Sequence, residues 1–536
     1  MDSEPAKRSF LRRRRPLLLV LLVLAGLFAY LALASTAANE GSFTYTLDDA
    51  YIHLELARNL AEHGSWGIEP GRFDAAASSL GWPLLLALAT LIFGNAVLAP
   101  LILAVSAAGA LMWIMEGYLD RLGVEAPYRP LILLAAFYIS AALFGVFSGM
   151  EHVLHLIMVA ALLLVVLPTL DEERRTWRRA EWLSLSLALL AVTVRYESLF
   201  AVAVVVLLAL LRKRWLFAAA LAVAGWLPVV VYGLVSTANG AYFLPNSILV
   251  KTLTRDAGYL EQLLTNVYTT LRYNITYTIG LGSAAVLWVV HWRKHGFWHP
   301  IGRLAFCVLG ASLFSLLMLG SDYRYHIWVI FLLYLVAALL AWSLLTRLRS
   351  RLEEHPRLKW ALIALVGLLL LHRFFFVLPE HPLQATRNIY RQQRQTARFL
   401  DRYYADEAVA VNDIGAVGYY ADVEVLDLWG LASQEVAELK LAGAYDSAAI
   451  KRLVAERDTA CAVVYDDWFR PYGGLPTDWI ACARWTIPDN VVCGGDTVTF
   501  YAFDEAGAAA LRKHLGEFVP ELPPEVVVTA LNDAQP

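Results

Sequence analysis

Two adjoining stretches decide the fold: LLLVLLVLAGLFAYLALASTAA (residues 17–38) and TYTLDDAYIHLELARNLAEHGSW (residues 44–66). The first is long enough to cross a bilayer, which takes about 20 apolar residues. The second sets two adjacent aspartates, then an arginine and two histidines, where the chain leaves that span. Apolar runs of similar length recur along most of the chain. Its 536 residues are 59% hydrophobic and 17% charged, against about 25% charged in a soluble domain. The class is therefore a polytopic α-helical membrane protein. A formal net charge of -3, with no basic region interleaved with aromatics, argues against a nucleic-acid partner.

Eleven spans are expected, at 17–38, 96–118, 130–148, 152–169, 182–195, 197–211, 215–236, 277–292, 301–320, 326–345 and 360–378. The N-terminal KRSFLRRRRP is cytoplasmic by the positive-inside rule. That choice places Arg121 and Arg129, ERRTWRR (173–179), RKR (212–214), WRKH (292–295) and the basic run from Arg347 to Lys359 in cytoplasmic loops. The run 17–38 exceeds the roughly 7–15 residues of a signal-peptide core and reads as an uncleaved anchor. LGWPLLLALATLIFG (80–94) is apolar but short; counted as a span, it would invert every later loop. It fits a hairpin or interfacial helix inside a long first outer loop, 39–95. Residues 1–378 thus form a transmembrane domain.

From residue 379 to 536 the character changes. AVAVNDIG, VEVLDL, CAVVYDD and TVTFYAF read as short strands. NIYRQQRQTARFLDRYY, SAAIKRLVAERD and EAGAAALRKHL read as helices. The alternation predicts a C-terminal extracytoplasmic α/β domain. Cys307, Cys461, Cys482 and Cys493 form no CxxC or Cys/His pattern, so no zinc site is expected. Cys482 and Cys493 are close enough in the chain to bond in an oxidising compartment, with free buried thiols as the alternative.

The segment after Leu47 repeats apolar residues at Ala50, Leu54, Ala57 and Ala61, a helical stripe. It reads as an amphipathic helix at the outer interface, capped by Thr46, with Asp48, Asp49, Glu55, Arg58, Asn59 and Glu62 on its other faces. Four further outer turns carry charges: SGMEH (Glu151), VRYES (Arg195, Glu197), NGAYFLPNSILVK (Asn246, Lys251) and GSDYRYH (Asp322, Arg324, His326). Charges at a membrane boundary are costly unless paired or solvated. One outer cavity lined by Asp48, Asp49, Arg195, Lys251 and Arg324 explains them together. Cations there suit a lipid-borne phosphate, and a carboxylate beside them suits a general base acting on a hydroxyl. No Walker loop or Rossmann fingerprint supplies a nucleotide site.

These segments resemble the integral-membrane glycosyltransferases of the GT-C class. LDDAYIHLELARNLAEHGSWGIEPG is similar to the first outer loop of bacterial members like the mycobacterial terminal arabinofuranosyltransferases. It also resembles the corresponding loop of protein O-mannosyltransferases and of aminoarabinose transferases that modify lipid A. SSLGWPLLLAL, SGMEH, VRYES, LPNSILVK, GSDYRYH and NDIGAVGYYADVEVLDLWGLAS match further family segments in order, over about residues 40–435. The resemblance implies inverting transfer of a sugar from a polyprenyl-phosphate donor to an envelope glycan, lipid or protein acceptor on the outer face of the plasma membrane. Asp48 would be the catalytic base and Asp49 its support. Lys251, Arg324 and Arg195 would hold the donor phosphate, and Arg58, Glu151, Asn246, Asp322 and His326 would line the substrate site. No cofactor is implied; a divalent metal between Asp48 and Asp49 is the alternative. His152, Tyr196 and Ser321 depart from the family pattern and bear on the sugar contacts rather than the reaction class. The rival class is a transporter or flippase of lipid-linked sugars, which usually shows inverted repeats and mid-membrane polar residues; the polar residues here cluster at one boundary.

Overall fold

The computed structural model describes residues 4–94, 96–171, 177–253, 258–320, 322–354 and 380–531, without side chains for residues 4–13, 251–253, 259, 346–354 and 380. The transmembrane part is built from α1 (Glu4–Ala38), α2 (Asp49–His63), α3 (Gly81–Phe93), α4 (Ala99–Arg121), α5 (Tyr128–Ile139), α6 (Ala142–Phe147), α7 (His152–Thr169) and α8 (Arg179–Val194). It continues through α9 (Ser198–Leu211), α10 (Trp215–Ala238), α11 (Asn246–Leu253), α12 (Tyr259–Tyr273), α13 (Ile275–His295), α14 (Pro300–Met318) and α15 (Ile327–Glu354). Seven described segments are long and apolar enough to cross a membrane: Arg14–Ala38 of α1, α4, α7, α10, α13, α14 and the stretch Tyr323–Leu345 that runs into α15. The architecture is a polytopic helical bundle.

The other expected spans are helical but shorter. The run 130–148 is broken at Ser140–Ala141, where Ala141 takes φ 60°, separating α5 from α6. The run 182–211 divides into α8 and α9 at Arg195–Glu197, whose charged side chains end the apolar stretch. The span expected at 360–378 lies outside the described residues. α3 is an apolar helix of 13 residues that packs against α2. α12 was not expected, because its apolar residues alternate with polar ones too often to suggest a span.

The C-terminal domain opens with a helical run, Glu380–Ile389, a π turn Tyr390–Arg394, and Gln395–Tyr403. Six strands form one mixed sheet in the order β2-β1-β3-β5-β4-β6: β1 (Ala408–Val411), β2 (Glu424–Asp427), β3 (Cys461–Val464), β4 (Ile480–Thr486), β5 (Thr497–Ala502) and β6 (Val527–Ala530). β2, β1 and β3 are parallel, and the rest pair antiparallel. Side chains alternate between faces. Val409, Val411 and Val463 pack with Phe399, Trp485, Phe500 and the helix Glu505–Phe518. Ala410, Ala462 and Val464 pack with Ile450, Leu453 and Phe469 on the other face. Cover on both faces is why these strands read as unbroken apolar runs. All four cysteines are unbonded.

α2 is more enclosed than its amphipathic pattern suggests: Ala50, Tyr51, Ile52, His53, Leu54, Glu55, Leu56, Ala57 and Asn59 are all buried, with Asn59 donating to the Gly67 carbonyl of the first loop at 3.0 Å and His53 lying against Glu151. Ile52 joins Ile68 and Ala76 in the C-terminal domain's own core, with Val411, Ile414 and Val417. Thr46 does not cap α2: its hydroxyl and backbone N–H both donate to the Phe147 carbonyl, at 3.2 and 3.1 Å, tying the loop to the end of α6. The first loop and the C-terminal domain therefore lie on the same side of the bundle.

Candidate functional site

α2 starts at Asp49, so Asp49, Ile52 and His53 fall on one helix face at spacings of three and four. That face lines a hollow whose other walls come from Ala76 and Ser78 of the first loop, Met150 and His152 at the α6–α7 turn, and Arg195 at the end of α8. Ser247 of α11, Arg324 and Tyr325 ahead of α15, and Leu431 of the C-terminal domain complete it. The hollow holds about 420 Å³ of unfilled space, part of it open to solvent.

Its cations are already shared. The Arg324 guanidinium lies 3.3 Å from an Asp49 oxygen and 2.7 Å from Asp322. Asp322 also accepts the Arg324 backbone N–H at 3.0 Å, which shapes the turn Tyr323–His326 and aims the arginine. Arg195 is buried between Glu151 at 2.5 Å and Glu197 at 2.6 Å. Glu151 is fully buried and lies 3.7 Å from His53. Two arginines thus face four carboxylates, and a phosphate entering here competes with Asp49 for Arg324. The Lys251 side chain, the third expected cation, lies outside the described residues.

Asp48 points elsewhere. It is buried and does not line the hollow. Its two oxygens accept the backbone N–H groups of Gly415 at 2.6 Å and Ala416 at 2.7 Å, in the C-terminal domain. The Asp413 carboxyl hydrogen-bonds the same group. Burial raises the Asp48 pKa, against the pull of these donors. Burial, then the neighbouring Asp48 charge, holds Asp413 well above the usual carboxylate range. Two buried carboxyls in contact oppose ionising together. A Cβ on Gly415 would stand 2.1 Å from the Asp48 carbonyl oxygen, so only glycine allows this approach.

The remaining expected residues divide. Glu151 and Asp322 sit directly behind the arginines. Arg58 lies apart, pairing with Glu55 at 2.6 Å and donating to the Tyr419 carbonyl at 3.1 Å. His326 is buried between the Ser315 hydroxyl and the Gly320 carbonyl, both at 2.9 Å, and does not line the hollow. Asn246 is fully buried; its backbone N–H donates to Ala75, and its side-chain amide has no hydrogen-bond partner among the described residues. Sequence reasoning did not place His53, Ser78, Ser247, Tyr325 and Leu431 in the site, and it singled out His152 only as a departure from the family pattern. For His53 the signal was present, one helical turn after Asp49. Among the described residues no group of three His, Cys, Asp or Glu side chains is placed to hold a metal ion.

Asp427 of β2 is buried, and its carboxylate accepts the backbone N–H groups of Trp429 at 2.7 Å, Gly430 at 3.0 Å and Ala432 at 2.7 Å. The Lys440 ammonium donates to the Trp429 carbonyl at 2.9 Å and lies over its ring. The Lys440 pKa is pushed down to about 7 by burial. These contacts fix the loop that brings Leu431 to the hollow.

No curated protein matches the chain. A family model described as a domain of unknown function (DUF8728) matches residues 387–501. The matched segment includes Asp413, Gly415, Ala416, Tyr419 and Leu431, the residues through which the C-terminal domain reaches α2 and the hollow.

Proposed function

We propose that the chain is a membrane glycosyltransferase of the GT-C type, inverting, which moves a sugar from a polyprenyl phosphate to a hydroxyl of an envelope glycan, lipid or protein. The N-terminus lies in the cytoplasm and the C-terminal domain outside the plasma membrane. The observation that carries this reading is the pairing of Asp49 with Arg324 in a hollow beside apolar helices, 3.3 Å apart.

The pairing gives each group a role. The donor phosphate takes Arg324 in a charge-assisted, bidentate contact. Asp49, released from the arginine, accepts the proton of the acceptor hydroxyl. The hydroxyl oxygen bonds to the anomeric carbon from the face opposite the phosphate. The carbon–oxygen bond to the phosphate breaks, and its electron pair leaves on the phosphate, where Arg324 stabilises the growing charge. Asp48, one residue earlier, anchors the C-terminal domain rather than carrying the proton, which exchanges the roles expected for the two aspartates.

The test is transfer of radiolabelled sugar from a polyprenyl phosphate by the protein in nanodiscs. Asp49→Asn is expected to lower the rate by about 10²–10⁴-fold, the range of a general base, with donor binding retained. Arg324→Ala is expected to weaken donor binding as well. Wild-type transfer rates in Asp49→Asn would reject the base assignment. Translocation of the lipid-linked sugar without any product would reject the enzyme in favour of the flippase.

A further inference from the structure

The lining of the hollow is two-sided. Asp49, His53, His152, Arg195 and Arg324 give it a charged and polar side; Ile52, Ala76, Met150 and Leu431 give it an apolar one. Ile52 and Ala76 belong to the C-terminal domain's buried cluster, and Leu431 packs against that same cluster. The apolar side is therefore the seam between the first loop and the C-terminal domain. Leu431 is the lining residue contributed by that domain.

Leu431 is held there by a built loop, residues 428–433. The buried Asp427 carboxylate gathers three of its backbone N–H groups within 3.0 Å. Gly430 takes φ +86°, and a Cβ there would come within 3.0 Å of the Ala437 nitrogen. The far end enters helix Gln434–Leu441, capped by Ser433 and packed on α11, the helix that supplies Ser247. A loop fixed at both ends presents one aliphatic side chain at a constant position, as a selective contact requires.

Given the glycosyl-transfer reading above, on which this depends, we propose that the loop 428–433 is the acceptor-selecting wall of the site, with Leu431 touching the acceptor and Asp427 as its positioning residue. The donor arrives with its lipid among the helices and its phosphate at Arg324. The group that meets the C-terminal domain is the one arriving from water. An isobutyl side chain offers no hydrogen bond, so a hydroxyl turned toward it is left unpaired at a cost. Leu431 therefore favours an acceptor that presents a C–H face or a deoxy position, and rejects one that presents a hydroxyl.

The experiment uses the full chain in nanodiscs, with arabinofuranosyl and mannosyl polyprenyl phosphates as donors and octyl arabinofuranosides, mannosides and galactosides as acceptors. Leu431→Ala is expected to raise the acceptor KM by about tenfold or more, the scale of a lost apolar contact, and to change the order of preference among acceptors. The donor KM should stay within about twofold of the wild type on the same reasoning. Leu431→Phe fills the space instead and is expected to exclude the bulkier pyranosides. Asp427→Asn should raise the acceptor KM with kcat little changed, a split that general destabilisation does not produce. Unchanged acceptor KM and preference in both Leu431 variants, with transfer intact, overturns the assignment and leaves the enzyme reading standing. A rise confined to the donor KM overturns it too. If the wild-type chain transfers no sugar between any pair while binding the donor, the glycosyl-transfer reading falls and this assignment with it.

Discussion

Asp48 and Asp49 are adjacent and face different domains. The pair was legible in the sequence as a feature needing explanation, because two carboxylates at a membrane boundary are costly. Which of them lines the hollow was not legible, since that depends on Gly415 and Ala416, more than 360 positions later. Leu431 was invisible for a related reason: one leucine in a run of apolar residues carries no signal until a hollow lies beneath it. The buried carboxyls around Asp48 predict a pH response. Asp48 and Asp413 are displaced upward, and Asp74, whose oxygens accept the Ile68 and Ala76 N–H groups, is raised by burial from 3.8 to about 7. A carboxyl whose pKa is higher folded than unfolded takes up protons on folding. Its contribution is complete below its unfolded pKa and is lost as pH rises through the folded value. For Asp74 that window runs from 3.8 to about 7. Around the Asp48–Asp413 pair the facing groups are the Asp49 and Asp427 carboxylates, the Gln393 amide, the Tyr465 hydroxyl and the Cys493 thiol. None of these is cationic, and the Gly415 and Ala416 N–H groups only partly offset the burial of charge. The Tm of the purified chain is therefore expected to fall between pH 5 and pH 8. Asp413→Asn, neutral throughout, should flatten that slope; an equally steep profile in the variant would contradict an upward displacement of the Asp48–Asp413 pair.

Among the elements, α2 departs most from its sequence pattern. Its apolar stripe marked a helix correctly, and β1, β2, β3 and β5 with the helices Gln395–Tyr403, Ser447–Glu456 and Glu505–Phe518 were equally readable, because hydrophobic period and length are local properties; β6 was not read. Burial on every face is not local. Glu55, Arg58 and Asn59 looked solvated, and two of the three are buried, Asn59 against the Gly67 carbonyl of the first loop. β4 escaped notice because IACARWT mixes small, charged and aromatic residues, and it is a strand only because β5 and β6 pair with it. The seating of α2 rests on glycine at its contact points. Gly149 takes φ +73°, and a Cβ there would stand 2.4 Å from Ala50 and 2.9 Å from the Tyr45 ring. On the other side, Gly415→Ala is expected to push the C-terminal domain off α2. It should speed proteolytic release of that domain and lower the Tm. Gly418→Ala, where a Cβ meets nothing within 4 Å, is the control and should behave as wild type. Equal protease resistance in the two variants would mean that the Asp48 contact does not hold the domains together.

At the scale of the whole molecule, composition and the spacing of apolar runs were enough to read a helical membrane bundle followed by a mixed α/β domain. The number of crossings was less legible, because α5, α8 and α9 are apolar yet too short to span alone. Side-assignment follows from charge. Asp171, Arg212, Arg214 and Arg303 are linked through ion pairs and backbone contacts near Thr169, at the end of α7 away from His152, while Asp49, Arg195 and Arg324 gather at the opposite ends. Reporter fusions after Arg121 and after Arg212 are expected to report the cytoplasm, and fusions after Gly240 and within the C-terminal domain the outside. A cytoplasmic signal from the C-terminal domain would place the hollow on the wrong face for a polyprenyl-phosphate donor outside. The contact between Asp48 and Gly415 also has a consequence for biogenesis. Ribosomes add about 5–20 residues per second, so the 367 positions between them leave α2 without its cover for roughly 20–70 s. Through that interval the part of α2 that the C-terminal domain covers waits exposed beside the translocon. A chain that stops short of the sheet would display it permanently, marking the nascent protein for a holdase or for degradation.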